Sequence, residues 1–74
     1  MRRPGFLIYY TTMSWTQYEV WAELEGHQEL IETTHSKKEA IQVAEKAFND
    51  GCDYVQVFEE TSDGEYAEIK TLSR

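Results

Sequence analysis

The residues best suited to nucleophilic or metal chemistry are one cysteine and two histidines, and they lie apart in the sequence. Cys52 has acidic residues close by, whereas a reactive thiolate needs a basic neighbour or a helix N-terminus. His27 and His35 have no partner at a metal-binding spacing, and no phosphate-binding loop or dinucleotide-binding glycine motif is present. We therefore expect a protein that is not an enzyme, with no catalytic residue, no metal ion and no cofactor.

A lone cysteine also bears on the compartment, because it excludes a disulfide within the chain and suits a reducing environment. No stretch of the sequence is long and apolar enough to cross a membrane. Both observations favour a cytoplasmic protein.

Carboxylates are the most abundant polar groups, and the net charge of the 74 residues is −7. Such a surface repels the phosphates of nucleic acids and can attract a basic protein surface, or it can simply keep the chain soluble. Glutamates spaced along strands can imitate phosphates. The glutamates in or beside predicted strands are Glu19, Glu23, Glu25, Glu29, Glu32, Glu59, Glu60, Glu65 and Glu68.

The clearest element is a helix over about Lys37 to Asn49. Ser36 is a good N-cap, Glu39 completes a capping box, and Gly51 can adopt the left-handed conformation that ends a helix. One side of this helix is apolar and is expected to pack on a sheet. Its members are Ala40, Ile41, Val43, Ala44, Ala47 and Phe48.

Four strands are predicted around the helix from alternating apolar residues and from turns at Gly26 and Asp63-Gly64. Their approximate ranges are 17–24, 29–34, 53–60 and 65–72. Two hairpins flanking one helix predict an α+β domain of order ββαββ, a four-stranded antiparallel sheet with one helix packed on one face.

The loop of the second hairpin decides which residues face the helix. A two-residue loop at Asp63-Gly64 would put Phe58 opposite Ile69. A three-residue loop that begins at Ser62, with Gly64 in the left-handed conformation, instead gathers compact aliphatic residues under the helix, and we favour it. Those residues are Val55, Val57, Ala67 and Ile69.

Residues 13–74 form the single domain in this interpretation, and residues 1–12 are an N-terminal extension or an extra strand. Arg2 and Arg3 precede the short apolar run 6–10, which is too brief for a secretion signal and is not followed by a cleavage site. If residues 1–12 are an upstream extension, Met13 is the natural start of the protein. In the other interpretation, residues 6–10 form an additional strand.

The side of the sheet away from the helix, which we call the open face, is the candidate partner-binding site. Large aromatic residues on an exposed sheet are typical of contact hot spots. The predicted binding residues are Trp21, Glu19, Glu23, Tyr54, Phe58, Tyr66 and Glu68, with Gln56 and Lys70 among them and Trp15 in phase with Trp21 if the first strand begins early. Residues 6–10 could instead cover this face, or the aromatic side chains could serve only as cross-strand pairs.

Open aromatic sheets also bind single-stranded RNA by base stacking, but those surfaces carry lysine and arginine. The neighbours here are mostly carboxylates, so we expect no direct binding of nucleic acid.

In size, acidity and hairpin–helix–hairpin layout the chain resembles the small inhibitors that phages and mobile elements use against host defence. The acidic strand residues and the aromatic face around Trp21 carry this resemblance to anti-CRISPR proteins and DNA mimics. It implies a non-catalytic, protein-binding inhibitor of a nucleic-acid-handling host complex, with a basic protein surface as partner. The alternative is a self-associating structural domain, a homodimer through the open face.

Overall fold

The computed structural model describes residues 14–74, which form four strands and one helix. The elements are β1 (Thr16–Leu24), β2 (His27–Thr34), α1 (Lys37–Asn49), β3 (Tyr54–Thr61) and β4 (Tyr66–Ser73). All neighbouring strands are antiparallel, and the sheet order is β2-β1-β3-β4. The α+β fold of order ββαββ that the sequence predicts is therefore confirmed. The interpretations of residues 1–12 lie outside the described residues.

Helix α1 has the predicted bounds because both of its ends are capped locally. The Ser36 hydroxyl accepts from the Glu39 amide over 3.1 Å. The Glu39 carboxylate accepts from the Thr34 hydroxyl, and that hydroxyl accepts from the Ser36 amide, so Thr34 relays the second bond of the capping box. At the other end Gly51 has φ +120° and begins a Schellman motif.

The core lies between α1 and the two central strands. Val20 of β1 and Val57 of β3 are fully buried, as are Ala40 and Ala44 of the helix. The absence of large side chains at these two helix positions lets α1 approach the sheet closely. Residues packed around this centre are Tyr18, Ala22, Val43, Ala47, Phe48, Cys52, Val55, Ile69 and Leu72.

Both hairpin loops follow from residues that adopt positive φ. Glu25 and Gly26 have φ of 55° and 82°, as in the two-residue turns preferred by hairpins. Pairing therefore begins at His27, two residues earlier than the sequence suggests. In the second hairpin Thr61 pairs with Glu65, and Gly64 has φ 93°, which confirms the predicted three-residue loop.

Each outer strand contains a β-bulge, which the sequence analysis did not predict. Ile31 is the extra residue of β2, opposite the step from Val20 to Trp21 of β1. Ile69 is the extra residue of β4, opposite the step from Val57 to Phe58 of β3. Val20 and Val57 are partners, so the two bulges lie at the same level of the sheet.

The structure corrects the predicted positions of two residues in β4, Lys70 and Ala67, and the bulge is the cause for Lys70. Lys70 becomes the partner of Val57 and lies on the helix side, so its prediction on the open face is wrong. Leu72 joins Ile69 against the core. Ala67 is paired with Glu59 but is exposed, because it lies on the outermost strand near the hairpin loop.

No helix within residues 14–74 is long and apolar enough to cross a membrane.

Candidate partner-binding face

The strand register brings the seven predicted binding residues to the open face. Phe58 of β3 pairs with Glu19 of β1 on one side and with Glu68 of β4 on the other. Glu23 pairs with Tyr54 in the same way. The remaining two members pair with residues of the same side, Trp21 with Gln56 and Tyr66 with Glu60.

Three aromatic residues and one carboxylate form a cluster in the middle of this face. The Tyr66 ring stacks on Phe58 with 5.0 Å between ring centroids and an angle of 9° between the planes. The Tyr66 hydroxyl donates to Oε1 of Glu19 over 2.7 Å, and Nε1 of Trp21 donates to the same oxygen over 3.1 Å. Local desolvation of the hydroxyl, together with its bond to Glu19, raises the pKa of Tyr66 to about 12.

A second set of polar contacts crosses the face beside that cluster. Nε2 of Gln28 donates to Oε1 of Gln56 over 3.0 Å, and Nε2 of Gln56 donates to Oε2 of Glu68 over 3.0 Å. The Thr71 hydroxyl donates to the same Glu68 oxygen. The bonds from Thr71 and Gln56 stabilise the ionised form and lower the pKa of Glu68.

Three further residues of this face, Gln28, Leu30 and Thr71, were not predicted from the sequence. Their positions follow from pairing, because Gln28 lies opposite Glu23 and Leu30 lies opposite Trp21. The alternation of side chains along the second strand could have placed Gln28 on this face. The strand predicted from the sequence began at residue 29, so it did not include Gln28.

The aromatic residues shield one another only in part. Trp21, Tyr54 and Phe58 are half-buried, whereas Tyr66 is 52% exposed. Leu30 adds a further exposed apolar group, at 43%. The aromatic side chains thus form cross-strand contacts and also leave a sizeable apolar surface open to solvent.

Carboxylates lie on both sides of the sheet, but the open face carries no basic side chain of residues 14–74. The open face carries four carboxylates, on Glu19, Glu23, Glu60 and Glu68, by the strand pairing. Within residues 14–74 the lysines and arginine lie elsewhere. Lys37, Lys38 and Lys46 belong to α1, Lys70 lies on the helix side of β4, and the Arg74 guanidinium sits 4.3 Å from the ring centre of Phe48 in α1.

Trp15 immediately precedes β1 and is tied to the second hairpin loop. Its amide donates to Oγ of Ser62 over 3.2 Å, and its carbonyl oxygen accepts from the Ser62 amide over 3.0 Å. The indole is 46% exposed. Since β1 begins at Thr16, the early start that would bring Trp15 into the strand is not observed.

The cysteine and histidines lie away from the open face. Cys52 is half-buried and lines a groove of about 250 Å³ with Ala22, Leu24, His27, Glu29 and Ile31. His27 contacts Glu29 over 3.1 Å, and Nδ1 of His35 donates to the Thr16 carbonyl over 2.9 Å. Across the described part of the chain, no group of three metal-binding side chains comes together.

Comparison with protein-family models, with curated proteins and with solved structures found no match for this chain.

Proposed function

We propose that this protein is a non-catalytic protein-binding module that inhibits a nucleic-acid-handling complex. In this proposal the open face docks on a basic surface of the complex and occupies the place of a nucleic acid. The observation that supports the proposal is that the open face combines aromatic groups with carboxylates, whereas the described lysines and arginine lie elsewhere.

The open face has the two properties that a protein-binding surface of this kind requires. Half-exposed aromatic rings supply apolar area that a partner can bury, and such rings dominate the energy of many interfaces. The surrounding carboxylates speed the encounter with a positively charged partner and exclude negatively charged ones. Proteins that bind nucleic acids carry basic patches, so they are the natural complement.

The same charges disfavour the alternative of a homodimer through this face. Two copies placed face to face would bring the four carboxylates of each copy together, and like charges at an interface cost several kcal/mol. We expect a monomer in sedimentation equilibrium at high protein concentration. A dimer that dissociates on Trp21→Ala substitution would instead establish self-association through the open face.

The partner is sought by affinity capture with the full chain, and the function is tested on the captured complex. We expect to capture a complex that binds nucleic acid. The wild-type chain should inhibit that binding, and the nucleic acid should in turn compete with the chain for the complex. Trp21→Ala with Phe58→Ala is expected to abolish both effects while retaining the circular dichroism spectrum of the folded chain. Lys38→Ala with Lys46→Ala, on the exposed side of α1, is the control.

Two outcomes contradict the proposal. The folded double variant of the open face could inhibit as well as the wild-type chain, which would place the interaction elsewhere. The captured complex could also bind nucleic acid equally well with and without the protein, which would exclude inhibition by competition.

A further inference from the structure

The centre of the open face offers a flat aromatic surface to a ligand. One side of the Tyr66 ring is packed on Phe58 in a nearly parallel stack, and Tyr66 nevertheless remains 52% exposed. The hydroxyl bond to Glu19 fixes the orientation of the ring. A fixed ring with an exposed face attracts cations through its quadrupole, and a planar cation gains additional contact by stacking.

Two carboxylates of the open face, one on each strand beside β3, are held in place by hydrogen bonds. Oε1 of Glu19 accepts from Trp21 and Tyr66, and Oε2 of Glu68 accepts from Gln56 and Thr71. Within residues 14–74 no hydrogen bond reaches the second oxygen of either group. Each carboxylate therefore has an oriented acceptor oxygen for a ligand, and less conformational entropy is lost on binding.

The spacing of these groups suits a guanidinium. Glu19 and Glu68 are the two pairing partners of Phe58, on opposite sides of β3. Two strand separations put their backbones roughly 10 Å apart, with the stacked rings between them. A guanidinium is planar, stacks on aromatic rings and has donors along its edges, whereas an ammonium is a compact and strongly hydrated point charge.

We propose that the open face recognises an arginine side chain of its protein partner. The guanidinium lies on the exposed side of the Tyr66 ring and donates hydrogen bonds to the carboxylates of Glu19 and Glu68. This inference rests on the proposed function and specifies the chemistry of the partner at that site. The charge complementarity and the exposed stacked ring argue for the same occupant.

The test compares two peptides of equal length and charge, one with six arginines and one with six lysines, on the full chain. Binding is followed by NMR, using the indole Nε1 signal of Trp21 and the backbone amides of the four strands. We expect the arginine peptide to bind about threefold or more tightly than the lysine peptide, as expected for a cation on an exposed ring. The largest shifts should fall at Glu19, Trp21, Phe58, Tyr66 and Glu68.

Charge variants locate the site while each position keeps one acceptor oxygen. Glu19→Gln and Glu68→Gln should each weaken binding of the arginine peptide several-fold. Glu45→Gln makes the same change at an exposed position of α1 and should leave the affinity for the arginine peptide unaltered. Tyr66→Leu removes the ring and should abolish the preference for arginine over lysine, while electrostatic binding of both peptides remains.

The outcomes separate this inference from the proposed function. Equal binding of the two peptides, or shifts centred on α1, would overturn the arginine site and leave an inhibitor that docks through charge alone. Conversely, a preference for arginine that Tyr66→Leu removes would support the site even if the captured complex were not inhibited. In that case the inhibitory role would be wrong and the recognition chemistry would stand.

Discussion

The Tyr66 hydroxyl lies 2.7 Å from Oε1 of Glu19, although the two residues belong to strands β4 and β1 with β3 between them. The tyrosine side chain therefore extends over the ring of Phe58 and connects the outermost strand to a central one. This single contact orders the middle of the open face, because the same Glu19 oxygen also accepts from the indole of Trp21.

That contact predicts a loss of stability in alkaline solution. The pKa of a tyrosine in the unfolded chain is near 10, whereas the pKa of Tyr66 in the folded chain is raised to about 12. Between these values the unfolded state binds fewer protons, so the free energy of unfolding falls as the pH rises. The stabilisation that Tyr66 provides is fully present below pH 10 and is lost as the pH rises towards 12. Urea denaturation across this range should show a shallower decline for Tyr66→Phe than for the wild-type chain.

The same variant should lower the free energy of unfolding at neutral pH by about 1 kcal/mol, the usual net value of one hydrogen bond. If the free energy of unfolding fell equally with pH in both proteins, Tyr66 would not contribute to the pH dependence of stability.

The first hairpin contains a residue whose backbone conformation can be improved. Glu25 has φ 55°, a left-handed conformation that costs a residue with a Cβ roughly 1–2 kcal/mol, and asparagine tolerates it better. We expect Glu25→Asn to raise the free energy of unfolding by about 0.5–1 kcal/mol in urea denaturation. Glu65→Asn makes the same change at an exposed residue without positive φ and should not stabilise. An equal gain in both variants would point to charge removal as the cause.

The start of α1 depends on the side chain of Ser36, which accepts from the Glu39 amide. Ser36→Ala leaves that amide without its partner and should lower the free energy of unfolding by about 1 kcal/mol. Ser36→Asp should restore most of the loss, since aspartate is an equally good cap. Thermal denaturation followed by circular dichroism measures both, with Ser73→Ala at the exposed end of β4 as the control. A loss no larger in Ser36→Ala than in Ser73→Ala would contradict this role.

The contact between α1 and the sheet leaves no room for a longer side chain at Ala44, which is fully buried. Ala44→Leu should therefore cost about 1–3 kcal/mol through displacement of neighbouring groups. Ala67→Leu adds the same atoms at an exposed position of β4 and should change the free energy of unfolding by less than about 0.5 kcal/mol. Similar urea midpoints for the two variants would mean that the helix can shift to accommodate the extra atoms.

Local signals explain why much of the fold could be predicted from the sequence. The bounds of α1 follow from Ser36 and Gly51, which act on adjacent backbone groups. The three-residue loop follows from the left-handed preference of Gly64 and from the need to bury Val55 and Val57. The alternation of residues in β1, β3 and the first part of β4 predicts that the candidate binding residues share one face.

The parts that could not be predicted depend on how separate strands fit together. A bulge such as that at Ile69 shifts the pairing within β4, and its only sign in the sequence is that Ile69 and Leu72 are both apolar although three residues apart. The contacts within the site depend on side-chain directions across strands. Alternation puts Tyr66 and Glu19 on one face, but it does not show that they meet.

The paired bulges also affect how this sheet meets other chains. The outer strands β2 and β4 are the edges at which a further strand could add, and each is interrupted near its middle by an extra isoleucine, at Ile31 and Ile69. A bulge locally increases twist and breaks the regular row of donors and acceptors that an incoming strand needs. The two bulges therefore disfavour the edge-to-edge pairing through which sheets polymerise into fibrils, and they do so without changing the open face.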